Sequence, residues 1–304
     1  MTDGAAATCP ACPACGAATS RRVPYPGGAG HASRGGLRFD AIALCAGCGL
    51  GLAEPRPRQE TLDAFYASGA YWHASGGSPA QRAHESNQAR HRVLRCLPHL
   101  RAAGPAADVG AGHGAVAEWL ERLAADRIER YDFVEPDPDG RAGIAARRRR
   151  FPVVDATQAG LQGGYALVFL NHVLEHVAEP ADFLAQAAAR LRPDGLLYVE
   201  TPYADQRFKD DVFPHTLFFT PAALRALAAR AGLEVLECTA FGAYPGTPGA
   251  IGTGAYRWLN AAFARFARAG LAPAARWLDD RIWRYRDAED GMWLCCLARP
   301  RKSA

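Results

Sequence analysis

No apolar run in the sequence approaches the ~20 residues that a membrane-spanning helix needs, and residues 165–170 are among the longest. The opening residues, MTDGAAATCP, lack the basic start and apolar stretch of a secretory signal. A cytoplasmic, reducing setting is therefore expected. Excess charge is missing too. Thirty-five basic residues against 31 acidic leave +4, too mild to predict a membrane partner, and it disfavours nucleic acid. Lysine is nearly absent, so arginine supplies almost all of the positive charge. There is no internal repeat, and the only dense charge run, residues 147–150, reads as the solvated end of a helix. What is present is an apolar fraction of 49% over 304 residues, enough for a buried core and roughly two domains.

The nine cysteines are unevenly placed, with five of them at positions 9, 12, 15, 45 and 48. In a reducing compartment they are expected as thiols or metal ligands, not disulfides. Cys12-Pro-Ala-Cys15-Gly16 and Cys45-Ala-Gly-Cys48-Gly49 are two C-x-x-C-G knuckles. Two intervening residues let both thiolates reach one tetrahedral ion, and the trailing glycine permits the turn. Four thiolates make a closed, structural zinc site with no open position for chemistry. Cys9 and Cys12 also form a C-x-x-C pair, but only the pair Cys12 and Cys15 has a trailing glycine that matches Gly49. Residues 1–52 are thus expected to form a small zinc-ribbon module, and 53–100 a helical lid or linker.

From Ala106 onward the texture changes. Apolar stretches at 106–109, 131–134, 151–154, 165–170 and 196–199 alternate with segments of helical period such as 116–124 and 181–191. Alternation of this kind predicts a parallel sheet covered on both faces. Thr220-Pro221 reads as an N-cap and first helical residue, Gly232 ends that helix, and 233–241 reads as a further strand. A Gly/Pro stretch then leads into helical sequence rich in Trp and Arg, followed by a closing strand near 291–298. Residues 101–304 are read as one domain with a helical insertion at about 242–289, which serves as a substrate cap or as a homodimer contact.

The central motif is Asp108-Val-Gly110-Ala-Gly112-His-Gly114, between a strand and a helix. Its G-x-G-x-G spacing differs from the G-x-G-x-x-G of dinucleotide binders. A pyrophosphate favours the longer loop, whereas S-adenosylmethionine carries no phosphate. Glu135, 21 residues after Gly114, ends the next strand, where a carboxylate accepts from both ribose hydroxyls. Asp155 ends the following one, placed to bond an adenine amine beside Ala156.

These residues resemble the class I S-adenosylmethionine-dependent methyltransferases. The matching segments are 108–114, Val134-Glu135-Pro136-Asp137, residues 168–177 (VFLNHVLEHV) and residues 191–202 (LRPDGLLYVETP). The resemblance implies a Rossmann-like α/β fold whose seven-stranded sheet carries its last strand antiparallel between the fifth and sixth. It also implies S-adenosyl-L-methionine as cofactor, with Asn171 and His172 beside its methionine part. Phe65-Tyr66 and Tyr71-Trp72 are read as a lid across the cofactor mouth, with Tyr71 on the cofactor.

Methyl transfer to a hydroxyl or a carbon acid needs a base, and histidine titrates in the right range. His215 follows the fifth strand on the ligand side, and His172 and His176 follow the fourth. The zinc knuckles, lid helices and histidine–aromatic loop together resemble deoxysugar C-methyltransferases. That resemblance carries the general-base role to His215, with His176 as a second match. It departs at Val212 and Pro214, where those enzymes have a tyrosine and a glutamate, and this chain has no room for their further C-terminal domain. The acceptor expected is a small molecule, a sugar or a natural-product intermediate, methylated on O or C. An RNA methyltransferase gripping RNA with its zinc module is the rival reading, but residues 1–52 hold four arginines and no lysine. A non-enzymatic cofactor-binding scaffold is the third.

Overall fold

The computed structural model describes residues 11–27, 36–68, 78–156, 160–245, 247 and 250–302. In chain order, β1 (Thr19–Pro24), β2 (Ala41–Cys45) and β3 (Gly51–Glu54) precede two helices, α1 (Gln59–Ala67) and α2 (Pro79–Cys96). The alternating part follows as β4 (Gly104–Val109), α3 (Ala115–Ala124), β5 (Ile128–Val134), α4 (Pro138–Ala145) and β6 (Val153–Asp155). It continues through β7 (Tyr165–Asn171), α5 (Pro180–Ala189), β8 (Leu191–Pro202), β9 (Leu217–Phe218), α6 (Pro221–Arg230) and β10 (Leu233–Phe241). The last elements are α7 (Thr253–Arg268), α8 (Ala272–Trp283) and β11 (Trp293–Pro300). None of the described helices is long and apolar enough to cross a membrane.

The large sheet has seven strands in the order β10-β11-β8-β7-β4-β5-β6. Strands β6, β5, β4, β7 and β8 run parallel, and β11 lies antiparallel between β8 and β10. That is the arrangement implied by the resemblance. Every residue of β7 is buried, as befits a parallel strand covered on both faces. One face packs under α5 and α6 with Leu184, Leu224 and Leu227. The other packs under α2 and α3 with Val93, Trp119 and Leu120. Local chemistry sets the helix starts. The Thr220 side chain accepts from the Ala223 amide with Pro221 at the first turn, and Ser78 caps α2 in the same way before Pro79.

Two boundaries differ from the sequence reading. Leu191, expected to close a helix, begins β8, because the helix stops at Ala189 and the buried side chain continues into the sheet. The helical segment after residue 252 is two helices, separated at Gly270, whose φ of 71° ends α7.

The N-terminal strands form a second sheet in the order β1-β2-β3-β9, so its last strand comes from beyond β8. Gly51 pairs with Phe218 and Leu52 with Leu217. A side chain at Gly51 would meet Ile42 Cγ2 at 2.8 Å and Phe218 Cβ at 2.9 Å, so only glycine lets the strands close there. Cys12, Cys45, Cys48, Leu50 and Leu52 share one apolar cluster with Leu224 and Leu227 of α6. Strands β1–β3 are thus stitched onto the large domain through the loop that carries His215.

Candidate functional site

The strand ends of β4, β5 and β7 open into a cleft of about 710 Å³. The glycine loop turns there with Gly110, Gly112 and Gly114 all at positive φ, between 55° and 75°. A side chain at Gly110 would lie 2.5 Å from Val173 Cγ2, and one at Gly114 2.8 Å from Ile144 Cγ1. Backbone freedom and lack of space both demand glycine. Glu135 holds this loop from β5. One carboxylate oxygen accepts from the Gly112 amide at 2.6 Å and the other from the Asp137 amide at 2.8 Å. Burial pushes its carboxyl up to about 7 despite those amides.

Asp108 ends β4 out of contact with solvent. It accepts from the Tyr131 hydroxyl at 2.6 Å and from Asn171 Nδ2 at 3.4 Å, and burial lifts its carboxyl to about 6. Asn171 leaves its own buried Oδ1 without a partner. Ala156 lines the cleft, its amide bonded to Phe133 O at 2.8 Å. The Asp155 carboxylate is turned onto Arg141, at 3.0 Å, and it is Arg141 that lines the cleft. Tyr71 and Trp72 lie outside the described residues.

The histidines form one connected cluster. His172 takes φ 53° and sets its ring between Glu175 (Nδ1, 3.2 Å) and Glu200 (Nε2, 3.1 Å). Burial opposes a charge there, but the two carboxylates outweigh it and lift the ring to about 8. Glu200 is also gripped by Arg92 at 2.6 Å and accepts from the Tyr198 hydroxyl at 2.7 Å. His176 lines the cleft with Nδ1 2.7 Å from the Tyr66 hydroxyl, and burial lowers it to about 3, so its ring is neutral. His215 stacks edge-on one layer back, ring centres 5.0 Å apart, with Nδ1 3.2 Å from Asp205 Oδ2. The Tyr25 hydroxyl of the N-terminal sheet donates to His215 O at 2.9 Å and fixes this loop from behind. One oxygen of the buried Glu175 faces the cluster without a partner.

Residues 81–238, more than half of the chain, match the family described as methyltransferase domain. The chain belongs to that family. Its seven-stranded sheet with antiparallel β11 is the class I, S-adenosylmethionine-dependent form. A ubiquinone biosynthesis O-methyltransferase of Azorhizobium caulinodans is 28% identical over 170 residues, 48% of this chain and 63% of that protein. One from a Methylobacterium species is 30% identical over 151 residues, 43% of this chain and 57% of its own length. The alignments thus span less than two thirds of either relative. Among solved structures, the 1,6-didemethyltoxoflavin-N1-methyltransferase of Burkholderia thailandensis, with its substrate and S-adenosylhomocysteine bound, is 17% identical. It aligns over 86% of this chain and 96% of its own, with a TM-score of 0.47.

A further wall of the cleft in this methyltransferase includes Tyr66, expected in the lid, and other residues of both lid helices that were not singled out in the sequence. It is built by Asp63 and Tyr66 of α1 and by Gln81, Glu85, Gln88 and Arg92 of α2. The signal existed, because positions 81, 85, 88 and 92 are a single polar face at helical spacing.

The four knuckle cysteines converge as well. Their sulfurs all lie within 4.8 Å of one another, with Cys12 and Cys48 3.6 Å apart and Cys15 and Cys45 3.4 Å. Tetrahedral zinc with bonds of about 2.3 Å separates its thiolates by roughly 3.8 Å, close to this spacing. Gly16 and Gly49 turn at φ 79° and 72° just after each knuckle. Burial disfavours a Cys45 thiolate, yet the Cys48 amide and Cys15 bring the group down to about 7. Cys9 lies outside the described residues.

Proposed function

We propose that this methyltransferase moves a methyl group from S-adenosylmethionine to a hydroxyl or acidic carbon of a small polar molecule, a sugar or natural-product intermediate. The observation that carries the reading is the pairing, across one cleft, of the Glu135-clasped glycine loop with a neutral, buried histidine. The residues present fit the cofactor. Asn171 offers a buried, unpartnered amide oxygen at the cleft, suited to an ammonium group. Glu135 keeps lone pairs free beyond its two amide bonds, suited to ribose hydroxyls. Arg141 and Ala156 border the place for the adenine, with Asp155 behind Arg141.

When bound, the cofactor supplies an electrophilic methyl group on a sulfonium. The chain's own residues orient the acceptor and take its proton. Gln81, Glu85, Gln88 and Asp63 offer a polar wall for a hydroxylated acceptor. His176 turns Nδ1 toward Tyr66 and the cleft, while Nε2 lies 3.9 Å from the Glu175 carboxylate. With its proton on Nε2, the ring presents the Nδ1 lone pair to the Tyr66 hydroxyl. The acceptor proton would pass across that hydroxyl to His176 as the acceptor is methylated. At about 3 the ring is a weaker base than the sequence leads one to expect. It is the Glu175 carboxylate that would hold the charge the ring gains, while His215, backed by Asp205, packs behind it. O-methylation has the further support that both curated relatives are named O-methyltransferases.

Cys12, Cys15, Cys45 and Cys48 are proposed to hold one structural zinc, in a cytoplasmic protein whose thiols stay reduced. Calorimetric titration with S-adenosylhomocysteine tests the central reading without the acceptor in hand. One-to-one, micromolar binding is expected. A folded, zinc-loaded protein that binds none overturns it.

A further inference from the structure

Among the described residues, the three large apolar side chains that are more than half exposed all sit on one helical hairpin. They are Trp258 (71%) on α7, Leu271 (51%) at the tip and Trp277 (55%) on α8. The inner face of this hairpin is accounted for. Phe263, Ala275, Leu278 and Ile282 are buried together against Ala80 and Ala83 of α2. Trp258 and Trp277 stand on the sides of the two helices turned away from that cluster.

The unpaired charge on the hairpin has one sign. Arg257, Arg265, Arg268 and Arg281 are exposed, and none of them has an ion-pair partner among the described residues. Arg281 lies over the Trp277 ring at 4.3 Å. The two helices carry just two carboxylates, of which one is buried and the other, 40% exposed, is already paired with a histidine. Asp279 is buried against His84, Asn87 and Tyr285, and Asp280 is held by His91 and Asn87. The mild net charge of the whole chain hides this local excess.

We infer that the outer face of the α7–α8 hairpin docks on an anionic lipid surface, with Trp258, Leu271 and Trp277 in the headgroup layer and the arginines on phosphates. Tryptophan and leucine beside unpaired arginine are the chemistry of an interfacial helix. The contact is peripheral, since neither helix is long and apolar enough to cross. It replaces the expectation of no membrane contact drawn from mean composition. A second copy of the chain fits less well, because a two-fold contact sets arginine against arginine. RNA fits less well too, since a leucine at the tip offers a base neither stacking nor hydrogen bonds. The docked hairpin brings α2, whose adjacent face walls the cleft, toward the membrane surface.

Flotation with phosphatidylcholine vesicles, with and without phosphatidylglycerol, tests this on the full chain. Binding to the anionic vesicles alone is expected. The double variant Trp258→Ser/Trp277→Ser weakens it by about tenfold or more, as does Arg265→Glu/Arg268→Glu. Circular dichroism and S-adenosylhomocysteine affinity stay unchanged in both, which separates this surface from the cofactor reading. Four results overturn the inference: no flotation of the folded protein, equal flotation on neutral vesicles, flotation that neither variant moves, or a stable dimer or RNA shift that the variants abolish while vesicles never bind.

Discussion

The Tyr66 hydroxyl and His176 Nδ1 lie 2.7 Å apart, joining the lid helix α1 to the loop after β7 across the mouth of the cleft. The contact orients the ring of a histidine that burial keeps neutral. Packing of Phe65 against Phe213, ring centres 5.8 Å apart, ties the same helix to the loop of His215.

That arrangement predicts a graded result. His176→Ala and His215→Ala should each keep S-adenosylhomocysteine affinity and lower turnover by about 10²-fold or more. Tyr66→Phe should lower turnover less, and shift its pH profile, because the ring survives but its orientation is no longer fixed. Stopped assays with labelled S-adenosylmethionine read all three. A fully active His176→Ala protein sinks the base assignment.

Glu135→Ala should weaken S-adenosylhomocysteine binding by about tenfold or more while the fold persists. The substitution removes the acceptor of the Gly112 amide as well as the lone pairs assigned to the ribose. Glu135→Gln keeps the shape but turns one acceptor into a donor, so it should rescue binding only in part. Calorimetry on the three proteins decides it, and an unchanged dissociation constant removes Glu135 from the site.

His172 predicts a pH dependence of stability with a definite sign. Its folded value, about 8, lies above the 6.5 of a free imidazole because Glu175 and Glu200 favour the charged ring. The stabilisation is therefore fully present below pH ~6.5 and lost as pH rises through about 8, amounting to about 1–2 kcal/mol. Urea unfolding at the two ends of that window should show wild type losing more than His172→Gln does. Equal losses refute the assignment.

Much of this was legible before any coordinates. The apolar runs that became β4, β5 and β7 announce themselves because strands buried on both faces are continuously apolar. Asp108, Glu135 and Ala156 then follow as strand-end residues on one edge. The expected adenine contact of Asp155 was less simple, since no local pattern shows that Arg141 on α4 reaches it. Strand β9 is two residues long and gains meaning only from β3, some 165 positions earlier, so no period reveals it. Depth is equally hidden. His176 and His215 look alike in sequence, yet only His176 lines the cleft, because the cis-proline loop of His215 packs behind it against Tyr25. The polar stripe of α2 is readable at helical spacing, but polar helical faces usually meet solvent, so the pattern alone does not mark a cleft wall.

The cysteine cluster gives the last prediction, and it reaches the active site. Purified protein should carry about one zinc per chain by mass spectrometry, and Cys45→Ser should lose it. Zinc binding supplies ~10–16 kcal/mol of apparent folding free energy in small zinc peptides, and the buried Tyr25, Phe39 and Ile42 of the N-terminal segment share their cluster with Phe65, Val212 and Phe218 from beyond β3. Loss of the metal should therefore loosen β3, and with it β9 and the loop that Tyr25 pins at His215. Chelation is expected to increase amide exchange in 41–54 and 212–219 together, while the strand ends of β4 and β5 keep their protection and S-adenosylhomocysteine still binds. Exchange confined to the first 54 residues would make the module a bystander to catalysis. A metal-free protein with both segments protected would refute the zinc assignment itself.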